Sequence, residues 1–336
     1  MAGVDIAHDR IVTVFGGSGF LGRHVVRALA RDGWRIRIAS RRPDLAIHTQ
    51  TTGRVGQITA VQANLRYPAS IAAALRGADA VINLVGILAE QGKQQFETVH
   101  TAGAAAVVKA AHDAGIGTLV HVSAIGADPE GASQYARSKG KAESIVREAY
   151  PDAVVLRPSI VFGPEDEFFN RFAAMARISP VLPLVGGGLT RFQPVYVGDV
   201  AEAVAAAAIG TARARGTYEL GGPAVRTFKD LMEYVCRVTG RKRLLVPIPF
   251  DAMRIPAGLT ELADSLLLGA FPKMLLMTRD QITLLRSDNV VSPSAIANDL
   301  TLKGLGIEPR AMESIVPSYL YRFRKTGQFD RGRIAP

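Results

Sequence analysis

The chain has 336 residues, 48% of them hydrophobic and 21% charged, with a formal net charge of +10. That composition excludes a disordered or low-complexity chain, and the length suffices for one large α/β domain or for a nucleotide domain with a smaller second lobe. Its one cysteine, Cys236, excludes an intrachain disulfide and suits a reducing compartment; set in an apolar helical pattern with no His near it in sequence, it reads as a packed thiol.

In chain order, Met1 to Arg10 lacks an apolar core and does not read as a secretory signal or an Arg-rich transit segment. Short apolar runs then recur at Ile11–Phe15, Arg35–Ala39, Ile58–Gln62, Ala80–Leu84, Thr118–Val122 and Val154–Leu156, with amphipathic helical stretches in most of the gaps. Strands that alternate with helices imply right-handed βαβ crossovers, hence an α/β fold with a Rossmann-like, doubly wound parallel sheet over residues 1–160. After Pro158 the alternation loosens. Pro- and Gly-rich loops, a strand near Arg191–Tyr196 and a helix at Val200–Ile209 are expected to open a smaller C-terminal α/β lobe over 161–336, with the chain crossing between the two. A strand at Thr217–Leu220, a helix at Phe228–Thr239 and apolar helical patterns at Phe250–Leu285 and Met312–Lys325 follow.

The longest apolar stretch, Leu262–Met277, is interrupted by Asp264, Pro272 and Lys273 and is not expected to span a bilayer. Within it, Leu266 to Leu268, Phe271 and Lys273 to Met277 read either as lobe core or as an apolar surface rimmed by Lys273 and Arg279. From Lys303 onward seven Lys or Arg stand against three Asp or Glu, which suits an acidic partner, an anionic membrane surface or a solvated face. No nucleic-acid partner is expected, since the basic residues are not interleaved with stacking aromatics. No metal site is expected either, because the six His fall into no ligand motif.

The strongest local signal lies where the first strand meets the first helix, at Gly16-Gly17-Ser18-Gly19-Phe20-Leu21-Gly22. Gly16 permits a tight turn, Gly19 lets backbone approach a pyrophosphate, and Gly22 lets helix and strand pack closely. The helix opening at Phe20 and Leu21 offers free N–H groups and positive partial charge to phosphate. At the end of the second strand, where a carboxylate would bind the ribose hydroxyls of NAD, the chain carries Ser40, Arg41 and Arg42. A guanidinium there fits a 2′-phosphate, so NADP(H) is the expected cofactor; solvated arginines are the alternative. Asn64 with Leu65, the segment Leu84-Val85-Gly86, and Val122 at the end of the fifth strand are expected to line the same trough, although Asn64 also suits a turn.

Tyr135 and Lys139 stand four residues apart on one face of a predicted helix. A free phenol has a pKa of about 10, and a neighbouring ammonium would favour the phenolate and let Tyr135 exchange a proton with a hydroxyl or carbonyl. With the glycine loop, this pair resembles the short-chain dehydrogenase/reductase superfamily in its extended branch, the NAD-dependent epimerase/dehydratase type. The resemblance implies that Lys139 also holds the nicotinamide ribose and that Pro158, Ser159 and Ile160, in Leu156-Arg157-Pro158-Ser159-Ile160-Val161-Phe162-Gly163-Pro164, flank the nicotinamide. The family's substrate-holding Ser or Thr falls on Ala124 in the epimerase register; Ser123 is the candidate in its place, although one step along a strand reverses the face.

Three segments extend the resemblance: Ile82-Asn83-Leu84-Val85-Gly86, Pro164-Glu165-Asp166-Glu167-Phe168-Phe169-Asn170-Arg171-Phe172 and Gln193-Pro194-Val195-Tyr196-Val197-Gly198-Asp199-Val200. With these the chain is similar to the NADPH-binding accessory subunits of respiratory complex I. That likeness implies a protein that holds NADP(H) and stabilises or assembles an NADH:quinone oxidoreductase, peripheral at the inner, cytoplasmic face of the respiratory membrane and in contact with complex I subunits. The alternative is a free NADP-dependent oxidoreductase or epimerase acting on a hydroxyl or carbonyl compound, such as a quinone or isoprenoid, through Tyr135 and Lys139.

Overall fold

The computed structural model describes residues 10–210, 216–253, 278–325 and 327. In chain order the elements are β1 (Ile11–Phe15), α1 (Phe20–Arg31), β2 (Arg35–Ser40), β3 (Ile58–Gln62), α2 (Pro68–Leu75), β4 (Ala80–Asn83), α3 (Ala102–Asp113), β5 (Thr118–Val122), α4 (Gln134–Ala149) and β6 (Val154–Pro158). Then come β7 (Val161–Phe162), α5 (Phe169–Ile178), β8 (Val181–Val185), β9 (Arg191–Phe192), β10 (Val195–Tyr196), α6 (Val197–Ile209), β11 (Gly216–Leu220), β12 (Arg226–Thr227), α7 (Phe228–Val238) and β13 (Leu244–Ile248).

Seven strands form one sheet in the order β11-β6-β5-β4-β1-β2-β3, and every pairing is parallel. A parallel sheet is covered on both faces, which is why a central strand such as β4, Ala80-Val81-Ile82-Asn83, is buried along its whole length. One face carries α2, α3 and α4, whose Ile71, Leu75, Val107, Val108 and Val146 pack with Val81, Leu119 and Val155 of the strands. On α1, Val25, Val26 and Leu29 form the buried stripe, and this helix packs against α6. The strand order reverses beside β1, which pairs with β2 on one side and β4 on the other. In open α/β sheets such a reversal leaves a crevice beyond the carboxyl ends of the two strands.

The chain divides into two compact units. The first comprises residues 1–158, 197–220 and 292–308, and the second 159–196, 221–291 and 309–336, within the described ranges. A boundary near residue 160 is therefore crossed repeatedly. The helix expected to open the smaller lobe, α6, belongs instead to the first unit, and β11 adds to the main sheet in register with β6, Gly216 opposite Val154. Helix periodicity reports a buried face and not the partner that buries it, so sequence spacing assigned α6 to its neighbours in the chain.

The second unit has its own core, in which Phe162, Phe169, Phe172, Phe192, Phe228 and Tyr234 pack with Leu231, Val316 and Leu320. There the expected strand Arg191–Tyr196 is two short strands: β9 runs antiparallel to β12 and β10 parallel to β7. Between them lies Pro194, which has no N–H to continue a ladder. The expected Met312–Lys325 helix is likewise divided at Pro317 into single turns at Met312–Ile315 and Pro317–Leu320. Of the Phe250–Leu285 pattern, the helix Arg279–Leu284 is described, while Leu266 to Leu268, Phe271 and Lys273 to Met277 lie outside the described residues. Among the described residues, no helix is long and apolar enough to cross a membrane, and no group of His, Cys, Asp or Glu could hold a metal ion. Cys236 is half-buried on α7, and burial pushes its thiol pKa up.

Candidate functional site

A cleft of about 540 Å³ opens in the first unit at the carboxyl ends of β1, β2, β3 and β4, a volume typical of small-molecule sites. The loop after β1 forms one wall, with Gly16, Ser18, Gly19, Phe20, Leu21 and Gly22 all lining it. Gly16 turns the chain with φ +81°, a conformation side-chain-bearing residues rarely adopt. Gly22 admits no side chain, since a Cβ there would lie 2.2 Å from the Gly16 carbonyl oxygen and 2.6 Å from Gly17. Gly19 caps α1 without a side-chain bond, and the N–H groups of a helix's first turn have no intrahelical acceptor. Helix dipole and free donors together suit an anion.

The opposite wall comes from β2 and β3. Ser40 and Arg41 line the cleft, whereas Arg42 is not among its lining residues and is held by Asp44, to which its Nε and Nη2 donate at 3.0 and 2.7 Å. Ser18 and Ser40 place their hydroxyls 3.4 Å apart, one from each wall. Asn64 and Leu65 also line the cleft, and the Asn64 Oδ1 accepts the Arg66 N–H at 3.1 Å, so Asn64 forms a turn as well as a wall. Arg66 joins them, its guanidinium donating to the Lys93 carbonyl. Among the described lining residues are two arginines and no carboxylate.

Leu84, Val85 and Gly86, after β4, make the third wall, and the Tyr135 ring closes the floor. Helix α4 presents that ring because Ser133 caps it, its Oγ accepting the Ala136 N–H at 2.9 Å. Burial pushes the Tyr135 phenol up to about 12. Lys139 is buried one turn later, donates from Nζ to the Val122 carbonyl at 3.3 Å, and is pulled down to about 8 by burial against the opposing pull of Glu143. An ammonium near a phenol was expected to lower the phenol. Here desolvation sets the direction of both shifts, and each group is biased toward its neutral form relative to its ordinary value.

Three further polar side chains are buried nearby: Asn83 at the end of β4, His121 on β5 and Ser123 just past it. Asn83 accepts the Val85 N–H on Oδ1 at 3.1 Å, so its amide nitrogen is the donor to His121 Nδ1 at 3.3 Å, and the proton of His121 sits on Nε2. Burial and Lys139 hold His121 down to about 3. Neither His121 Nε2 nor Ser123 Oγ has a hydrogen-bond partner among the described residues. Ser123 is thus a buried hydroxyl with spare capacity, and its N–H donates to the Leu156 carbonyl at 2.7 Å.

Pro158 ends β6 in the first unit. Ser159 and Ile160 belong to the second unit, where Ser159 Oγ donates to the Asn289 carbonyl at 2.8 Å and Ile160 packs against the aromatic core. Sequence reasoning missed Arg66, Ile87, Leu88, Gln94, Thr98 and Val99, which also line the cleft. It missed Phe96 and His100 too, whose rings meet the Tyr135 ring edge-on at centroid distances of 5.7 and 5.5 Å. An aromatic and a His four residues apart, just before an apolar helix, were the available signal.

Residues 12–221 match the family described as "NAD dependent epimerase/dehydratase family". The chain is 34% identical to an Arabidopsis thaliana protein named "NADH dehydrogenase [ubiquinone] 1 alpha subcomplex subunit 9, mitochondrial", over 94% of this chain and 79% of that one. It is 33% identical to a protein of Caulobacter vibrioides named "Ceramide reductase", over 76% and 79% of the two chains. In fold it is similar to the structure of an NADPH-dependent quinone oxidoreductase of Escherichia coli complexed with NADPH, with a TM-score of 0.69, 19% identity, and 92% and 99% of the two chains covered.

Proposed function

The chain belongs to the NAD dependent epimerase/dehydratase family, and from that premise we propose that it holds NADP(H) in the cleft at the start of α1 as an accessory subunit of a respiratory NADH:quinone oxidoreductase. The carrying observation is the cleft's donor set: uncapped helix N–H groups behind a glycine turn, two arginines, and no carboxylate among the described lining residues. Such a set suits a multiply charged anion and disfavours a ligand that needs an acceptor for ribose hydroxyls. Arg41, with Ser40, takes the 2′-phosphate. Arg42 is left out, because Asp44 occupies its guanidinium.

Bound NADP(H) would supply hydride chemistry. A phenol raised to about 12 stays protonated at neutral pH and serves as a hydrogen-bond donor. Lys139, fixed on the Val122 carbonyl, contributes the ribose contact that the family resemblance implies. Assembly with complex I subunits rests on likeness to the Arabidopsis protein across nearly the whole chain. On this reading the protein is peripheral at the inner face of the respiratory membrane. Tagged protein purified from membranes should bring complex I subunits with it and release NADP(H) on denaturation. Purification without those subunits defeats the assembly claim, and release of NAD(H) or of no nucleotide defeats the cofactor claim.

The presence of both Tyr135 and Lys139 favours a second reading, an NADP-dependent reductase acting on a carbonyl, and the Caulobacter relative is named as one. In it Tyr135 is the proton donor and the unpartnered Ser123 hydroxyl orients the substrate oxygen. A Tyr135→Phe variant would then lose turnover of carbonyl compounds and quinones, whereas the holding role predicts no turnover in either protein.

A further inference from the structure

His100 lies outside the phosphate-binding apparatus, yet it is 2% exposed and every polar atom of its ring is committed. It comes from a π-helical turn, Glu97–Thr101, that opens α3, with the Ala102 N–H donating to the Glu97 carbonyl. Such widened turns are rare and concentrate at functional sites. The ring stacks on Phe96 at 5.5 Å and 26° and meets Tyr135 edge-on.

Its hydrogen bonds have a fixed polarity. The Ile87 N–H donates to Nε2 at 3.0 Å, so in the neutral ring the proton is on Nδ1 and donates to Ser138 Oγ at 2.9 Å. Ser138 Oγ in turn donates to the Tyr135 carbonyl at 2.9 Å. One side chain therefore joins the loop after β4 to the first turns of α4. Burial and the nearby Lys139 hold His100 down to about 3, so it stays neutral over the working range. The loop it pins is tight: a Cβ on Gly86 would lie 3.2 Å from Lys139 Nζ and 3.6 Å from His100 Nε2.

We infer that His100 is the positioning residue of the cleft floor, holding the Ile87 N–H so that Gly86 stays against Lys139 beside the Tyr135 ring. The inference rests on the NADP(H) reading of the cleft. It concerns only the end of the cofactor nearest Tyr135, since none of the His100 bonds reaches the glycine turn or Arg41.

The two ring nitrogens can be replaced separately. The terminal amide of Gln reaches about as far as Nε2 and can accept from Ile87, while that of Asn reaches only as far as Nδ1 and serves Ser138 alone. Full-length wild type, His100→Gln and His100→Asn are titrated with NADPH and with adenosine 2′,5′-bisphosphate, which carries the phosphate end without the nicotinamide. We expect NADPH to bind His100→Gln within about threefold of wild type and His100→Asn about tenfold more weakly, with all three proteins binding the bisphosphate alike. Amide exchange at Ile87 should accelerate in the Asn variant and not in the Gln variant. Wild-type NADPH affinity in His100→Asn, equal weakening of both ligands, or failure of Gln to rescue overturns the positioning role while leaving the cofactor reading intact. Wild-type protein that binds neither ligand removes both.

Discussion

The two ends of the cleft are built by different means. At the glycine end the structure is almost all backbone: a left-handed turn at Gly16, a helix start, and a Gly22 so close to the Gly16 carbonyl that no Cβ fits. At the tyrosine floor it is almost all side chain, with Lys139, His100, Ser138, His121 and Asn83 drawn from four elements into a buried polar layer beside the partly exposed Tyr135. A backbone site is fixed by local sequence and fails when sterics fail. A buried side-chain layer is fixed by packing, holds unfavourable charge, and trades stability against function.

That contrast can be broken or sharpened in order of expected effect. Gly22→Ala is the largest: the new Cβ overlaps backbone that cannot move away, so thermal melts should show a loss of about 3 kcal/mol, with nucleotide binding abolished in calorimetry. Binding retained in that variant would remove the steric account of the glycine end. Behind the floor, buried Glu143 accepts from Arg157 Nε at 2.9 Å and Nη2 at 2.7 Å. Glu143→Ala leaves the mostly buried Arg157 guanidinium only the Ala127 carbonyl at 3.2 Å and the more distant Glu219 carboxylate at 3.8 Å, and should cost about 2 kcal/mol in denaturant unfolding.

Lys139→Met tests the trade directly. The Lys139 pKa in the fold is about 8, below its ordinary value of 10.5, so the unfolded chain binds more protons between those two pH values. Wild-type stability therefore rises from pH 8 toward 10.5, and below pH 8 the full cost of burying the ammonium is felt. At pH 7 the Met variant should be more stable by on the order of 2 kcal/mol, and the gap should close as pH rises above 8. Its NADPH affinity should fall. A gap that widens with pH would reverse the sign of the argument.

Arg41→Ala should weaken NADPH about tenfold and leave NADH unchanged, measured by fluorescence titration, because a charge-assisted contact to phosphate is lost. The smallest effect belongs to Arg42→Ala, where the lost pair with Asp44 is exposed and NADPH affinity should stay within about twofold. If Arg42 proves the stronger determinant, the assignment of roles to these neighbours is reversed.

Much of this was legible in advance, unevenly. The strands Ile11–Phe15, Ile58–Gln62 and Thr118–Val122 match their predicted bounds, because a buried parallel strand writes itself as a short aliphatic run between turns. The turn at Gly16 and the close packing at Gly22 are legible because both constraints act within seven residues of chain. Arg41 and Arg42 were indistinguishable until Asp44 was seen to bind one of them. Spacing puts Lys139 one turn from Tyr135 but does not report the burial that pushes the phenol up.

Taken alone, the amino-acid sequence determined the parallel sheet, the glycine turn with its helix, and the Ser40-Arg41-Arg42 end of β2 in place of a carboxylate, all of which follow from residues close together in the chain. Tertiary structure decided the rest: α6 and β11 returning to the first unit, His100 joining Ile87 to Ser138, and a floor whose burial shifts the Tyr135 phenol up and the Lys139 ammonium down. The physical reason is that burial and long-range hydrogen bonding depend on which surfaces meet, and surfaces meet only once the chain has folded.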